Sequence, residues 1–355
     1  MKNTSKLNNI QVLRAFAAVA VVVFHTGFAF PGMHQFGSFG VDVFFVISGY
    51  IMARILDPAH NSSDYFFRRR VLRIVPPYWF FTILLFFVAM KVPQLMGATR
   101  ATGVDLLKSL FFIPFSKGNG LIQPLLFLGW SLNSEMFFYV ALTLGLLISR
   151  RYATWLGAAI VLVAIFGLMP FAAVSDPARF YSAEVNLDFL LGILSYTVCK
   201  HTSSNTAGRW RVPALLVAIG SALLLILVQG VLPTPPHIYG QRVVTLGIPA
   251  FLLVTSASLL SQGGWDSENA ALVLVGDASY ILYLIHPYCE YPLSRLFSRQ
   301  HPWLNSQSAT GALIGVALSI VLALLIHLYA ERPLVKFLNQ RFGGRRKSAE
   351  FAPAK

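Results

Sequence analysis

Acidic residues are scarce in this chain: 14 Asp and Glu stand among 355 residues, against 28 Lys and Arg. Charged residues of both signs reach only 12%, where a soluble domain carries roughly 25%. Cysteine is almost missing. Cys199 and Cys289 are the only two, too few for a disulfide framework, and both read as core residues. The chain has no Cys/His array at metal-ligand spacing, no glycine-rich phosphate loop ending in Lys-Ser or Lys-Thr, and no G-x-S-x-G turn. Metal, P-loop and serine-elbow chemistry therefore have nothing to build on. Long polar segments are missing too, so no separate soluble domain fits between the apolar stretches. The longest gap, 98–123, reads as a loop with a surface helix.

What remains is apolar. Hydrophobic residues make up 56% of the chain, and runs of about 18 residues or more recur from end to end, each long enough to cross a bilayer. They lie near 10–30, 38–56, 77–97, 124–148, 153–174, 183–199, 212–232, 241–261, 271–294 and 309–330. The expected fold is all-α: a polytopic membrane protein with about ten transmembrane helices in one bundle. It comprises a single domain over 1–340 and a basic tail over 341–355. The first run looks like the apolar region of a signal peptide but is long and lacks a small-residue cleavage site, so it stays as the first helix. The absence of an internal repeat weighs against inverted-repeat transporter folds.

The formal net charge of +14 does not point to nucleic acid, because of how it is distributed. With alternate loops on opposite sides, roughly 19 basic residues share the side of the N-terminal "MKNTSKLNN" and about 8 fall on the other. This asymmetry puts both termini in the cytoplasm and offers contacts to anionic lipid.

Two residues of the first run do not belong in hydrocarbon. "LRAFAAVAVVVFHTGF" (13–28) carries Arg14 and His25, and a charge at the bilayer centre costs about 2.5–3.5 kcal/mol on insertion scales. Their spacing is within about 20° of three helical turns, so both side chains share a face about 16 Å apart along the axis. Each alone has a bland account: Arg14 snorkelling to headgroups, His25 hydrogen-bonded inside the bundle. On one stripe they favour a polar pathway. Neutral imidazole is a general base, or a nucleophile that carries an acyl group. A guanidinium cannot deprotonate and holds phosphate well. A long thioester with a phosphorylated head would span the distance between them.

"QVLRAFAAVAVVVFH" (11–25) resembles the opening signature of the integral-membrane acyltransferase 3 family, an arginine and a histidine separated by ten residues. Further matches follow in family order: "FGVDVFFVISGYIMA" (39–53), "FRRRVLRIVPPYW" (67–79), "WSLNSEMFFY" (130–139), "GDASYILYLIHPY" (276–288) and "ERPLVKF" (331–337). The chain looks most similar to the standalone branch that O-acetylates exopolysaccharides. The resemblance implies an inner-membrane enzyme of bacteria that moves an acyl group, most simply acetyl from acetyl-CoA, to a sugar hydroxyl. The acceptor would be an exopolysaccharide, a lipid-linked repeat unit or a related surface glycan. No soluble esterase-like domain is expected after the last helix, so delivery would be direct or through a separate glycan-assembly protein.

The resemblance also sorts the remaining polar residues. The family's R-x-x-R element falls on Arg70 and Arg73, i and i+3 neighbours, with Arg69 beside them; these suit coenzyme A phosphates, although a topology signal accounts for the same charges. Asp42 sits in an otherwise apolar run, where it either orients an imidazole or answers an arginine. Glu135 is expected at the depth of His25, holding the imidazole tautomer or the acceptor hydroxyl, unless it pairs with an arginine. Glu184 and Asp188, i and i+4 neighbours, are candidates for sugar hydroxyls or solvent-facing acids. Trp130 and Tyr139 are further candidates for acceptor binding. His286 precedes a proline and reads as structural, and His327 with Glu331 reads as a helix-ending pair. A transporter or channel using the same buried charges is the alternative from another class.

Reporter fusions test the topology. Fusions at Lys355 and within 98–120 are expected on opposite sides of the membrane; the same side for both overturns the map.

Overall fold

Backbone amides in hydrocarbon find partners only within their own segment, so apolar runs of this length become helices. The computed structural model describes residues 7–28, 36–57, 62–92, 102–117, 120–202, 208–231, 240–297 and 301–342, with 230–231 and 293–297 described by backbone alone. In order, its α-helices are α1 (Asn8–Thr26), α2 (Gly40–Leu56), α3 (Ser63–Lys91), α4 (Gly103–Leu110), α5 (Gly129–Ile148), α6 (Ala153–Leu168) and α7 (Asp176–Tyr181). They continue as α8 (Asp188–His201), α9 (Arg211–Val231), α10 (Ile248–Gln262), α11 (Ala270–Asp277), α12 (Ser279–Phe297), α13 (Ala309–Ile326) and α14 (Arg332–Phe342). Each apolar run of the sequence has become a helix, and among the described residues the only β pairing is an isolated bridge between Ser116 and Ile122.

The chain is thus an all-α polytopic membrane protein, with one adjustment to the count. Among the described residues, seven helices are long and apolar enough to cross a bilayer, or eight if α11 and α12, bent by 72° at their junction, form one span. The two other runs became α2, of 17 residues, and α8, of 14. The gap before α5 holds α4 as the expected short helix. The tail beyond residue 342 lies outside the described residues.

Ties between loops fix which helix ends lie together. Asn8 and Asn9 at the start of α1 donate backbone N–H groups to Asp266, beyond α10 (3.0 and 2.8 Å). Asp57, after α2, accepts from Tyr196 (2.9 Å) and pairs with Lys200, both on α8. Arg211, opening α9, donates to the Gly263 carbonyl. The arginines of α3 belong to this same end, called the basic end below. At the opposite end, Gln229 of α9 accepts from the Gly37 amide and donates to Ser38, and Glu184 accepts from the Gly240 amide.

α1 runs at the centre because its small residues admit close neighbours. Gly40 lies against the Ala17 carbonyl, Gly37 against that of Ala20 and Gly276 against that of Gln11, each so near that a Cβ would overlap. The same device joins α2 to α8. Gly49 faces Gly192, and a Cβ on either would strike the other's Cα at 2.9 or 2.7 Å. At this crossing the Phe189 ring stacks between Phe45 (4.3 Å) and Phe138 (4.5 Å). Close approach of this kind replaces the hydrophobic drive that lipid removes.

Gly49→Ala and Gly192→Ala are each expected to destabilise the chain in detergent by about 1–3 kcal/mol, the usual cost of overpacking. The double variant should cost less than the sum of the two, because one displacement relieves both contacts. Additive losses in thermal unfolding would show that the helices do not meet at these glycines.

Candidate active site

The site begins with the arginines of the basic half. Arg14 is 9% exposed and has a long contact to Gln11 on its own helix (3.4 Å). It lines an open cavity together with Arg73, Glu135, Tyr139, Ser48, Ser279, Tyr280 and Tyr283, between apolar walls that include Val41, Phe44 and Phe45. Two guanidinium groups therefore face one carboxylate. Glu135 accepts from Ser48 (3.2 Å) and from the Tyr139 hydroxyl, both at Oε1. Arg70 lies within electrostatic range of Tyr139 and of Arg73, with its Nε buried and unpartnered. The Ser279 hydroxyl in the cavity wall is likewise without a partner. Unpaired buried donors are costly. The cavity is positive and short of acceptors, as a site for a phosphorylated or carboxylated ligand should be.

Three turns along α1 from Arg14 is His25, near the helix end that Gly27 closes in a left-handed conformation (φ 71°). Its Nδ1 lies 2.8 Å from the Val21 carbonyl. A carbonyl only accepts, so Nδ1 carries the proton and Nε2 keeps its lone pair. The ring packs against Phe24, Phe127 and, at 5.0 Å between centroids, His286. His286 is completely buried. Its Nδ1 is 3.3 Å from the Leu282 carbonyl, again assigning the proton to Nδ1, and its Nε2 has no partner. Pro287 follows and cannot donate to the Tyr283 carbonyl, which leaves a second acceptor beside the His286 ring. Tyr283 links this pair to the cavity: it lines the cavity, and its ring lies 6.2 Å from that of His286.

Arg14 and His25 thus both face α12, on the shared stripe that their spacing requires. They do not share one chamber. His25 is outside the cavity lining, and Tyr283 and His286 stand between the two regions.

Glu135 departs from its expected depth. The apolar run 124–148 starts five residues before the helix does, and the irregular segment puts Phe127, not Glu135, beside His25 (5.2 Å). Eight residues of chain later, Glu135 is at the level of Arg14 and does not touch the imidazole. Asp42 also fails to reach an imidazole. It is fully buried and held in a bidentate pair with Arg242 (2.9 and 2.8 Å). Asp188 is 1% exposed and lies beside this pair, while Glu184 is tied to the Gly240 amide (2.5 Å). These acids form a cluster at the opposite end, apart from the cavity. Trp130 packs edge-on against Phe45 (6.2 Å), leaving Tyr139 as the one acceptor candidate in the cavity wall. Arg69 points outward, donating to the Tyr65 hydroxyl (2.6 Å) and lying over its ring.

Sequence reasoning missed Arg242 and the position of His286. An arginine at the end of the bundle poor in basic residues was the available signal for the first. The His-Pro step concealed the second, because a freed carbonyl explains a histidine there without reference to any neighbour. At the basic end His327 and Glu331 do pair (2.5 Å), within a π-helical turn.

The family profile described as an acyltransferase domain matches residues 7–328. Among curated proteins, the acyltransferase MdmB of Streptomyces mycarofaciens is 26% identical over 95% of this chain and 93% of its own length. The exopolysaccharide production protein ExoZ of Rhizobium meliloti is 30% identical over 85% of this chain and 92% of its own length. The peptidoglycan O-acetyltransferase OatA of Listeria monocytogenes is 25% identical over 96% of this chain, which spans 58% of that protein. No solved structure matches. A match across nearly the whole chain sets the transporter alternative aside: the chain belongs to the acyltransferase 3 family of integral-membrane acyltransferases.

Proposed function

We propose that the protein transfers an acyl group, most simply acetyl, from cytoplasmic acyl-CoA to a sugar hydroxyl of an exopolysaccharide or lipid-linked repeat unit at the bacterial inner membrane. The observation that carries this reading is the pair of guanidinium groups, Arg14 and Arg73, facing one cavity with a single, already bonded carboxylate between them. Such a cavity suits the phosphates of a coenzyme A head, with Arg70 as a further contact. The likeness to an exopolysaccharide production protein and to a peptidoglycan O-acetyltransferase supports a glycan acceptor. The excess of basic residues at the cavity end supports a cytoplasmic opening for the donor.

In this reading Arg14, Arg70 and Arg73 fix the head, and the thioester arm runs along α1 past Tyr283 toward His25. The lone pair on His25 Nε2 takes the proton of the acceptor hydroxyl as its oxygen bonds to the thioester carbonyl carbon. The C–S bond then breaks, and the coenzyme A thiolate recovers the proton from the imidazolium. Asp42 and Arg242, joined by two hydrogen bonds, serve to fasten α2 to the segment before α10. Glu184 and Asp188 stand near the end where the acceptor would arrive.

The test is transfer by the purified chain. Acetyl-CoA and a glycan acceptor are expected to yield an acceptor heavier by one acyl group, by mass analysis; an unchanged acceptor with every acyl-CoA tried counts against the donor. Arg73→Ala should raise the donor KM roughly 10–150-fold, the equivalent of one charge-assisted contact of about 1.5–3 kcal/mol. Lys at this position should restore part of the affinity, having charge without the fork. An unchanged KM in the Ala variant returns Arg73 to a topology signal.

A further inference from the structure

One buried acid has no account in the site described so far. Glu290 of α12 is 1% exposed, and neither carboxylate oxygen has a hydrogen-bond partner. It follows His286 by four residues, one helical turn, so the two side chains are neighbours on one face of α12. Gly315 of α13 leaves room for it: a Cβ there would come within 3.3 Å of the Glu290 Cγ. His286 in turn has an unpartnered Nε2 and packs on the His25 ring. Three groups with unused polar capacity thus follow one another: His25, half-buried, then His286 against its ring, then Glu290 one turn further along α12.

The arrangement matters because of what His25 lacks. A base that becomes an imidazolium inside a membrane needs negative charge nearby, and in a hydrolase triad a carboxylate on Nδ1 supplies it. Here Nδ1 of both histidines is committed to a carbonyl, Glu135 is at the level of Arg14, and Asp42 is neutralised by Arg242. Among the described residues Glu290 is the acid left over at this end of α12.

Building on the acyl-transfer reading, we infer that Glu290 is a positioning residue that acts through His286, supplying the counter-charge to the imidazolium formed on His25. His286 is the intervening ring. The Nε2 lone pair of His286 faces away from its own carbonyl contacts and offers a second seat for the proton that His25 Nε2 removes from the acceptor hydroxyl. That proton ends on the coenzyme A thiolate, so no further reactant is required. Neither His286 nor Glu290 needs to touch the acceptor.

The experiment reads acyl mass on the glycan in cells expressing each variant, normalised to the chain present in the membrane, so a wrong assignment of the donor does not affect it. Glu290→Gln preserves shape and removes the charge; acylation per chain is expected to fall at least 10-fold. Glu290→Asp, which keeps the charge on a shorter arm, should recover part of it, a rescue that a packing role would not produce. His286→Gln should match Glu290→Gln, and it decides the matter if the latter fails to accumulate. Normal acylation with Glu290→Gln or with His286→Gln overturns the inference alone. Absence of added acyl mass with the unaltered chain overturns the function it rests on, and the inference with it.

Discussion

One face of α1, three turns long, constrains the rest of the molecule. Arg14 and His25 share it, and α12 packs along it, bringing Tyr280 and Tyr283 into the cavity with Arg14 and His286 against His25. The rotation of α1 is held from both ends and from behind. Asp266 takes the amides of Asn8 and Asn9, Gly27 closes the other end, and Gly37, Gly40 and Gly276 sit on its carbonyls. A helix so gripped cannot turn one polar residue toward lipid without misplacing the other.

Buried charges are costly in any bundle, and the way each is answered separates fastening from function. Asp42 and Arg242 answer one another through two short bonds, and removing one partner of such a pair typically costs about 3–5 kcal/mol. Arg14, Arg70 and Arg73 are different, since Glu135 is shared with Ser48 and Tyr139 and cannot satisfy three guanidinium groups. The deficit of acceptors sits at one end of α1 and the free imidazole lone pairs at the other. Donor binding and proton transfer would therefore occupy separate regions joined by the length of one thioester arm.

Much of this was legible in the sequence. Apolar runs located every long helix, and the spacing of Arg14 and His25 fixed their common face, because helical period is a local property. Nothing local to Gly49 named Gly192 as the residue it meets. Pairing across helices was the illegible part. The depth of Glu135 was misjudged since apolar residues of an irregular segment, Pro124 to Leu128, are indistinguishable from a first helical turn by hydropathy. The partner of Asp42 lies 200 residues away.

The central claim is that the two ends of the α1 face have separate duties, and His25→Gln measures this directly. Glutamine keeps hydrogen-bonding capacity but cannot act as a base. With the purified variant, acyl-CoA affinity by calorimetry is predicted to stay within about twofold of the unaltered chain while glycan acylation by mass analysis disappears, because affinity rests on the arginines and transfer on the base. Near-normal acylation with glutamine at position 25, or loss of donor binding in step with transfer, would contradict it.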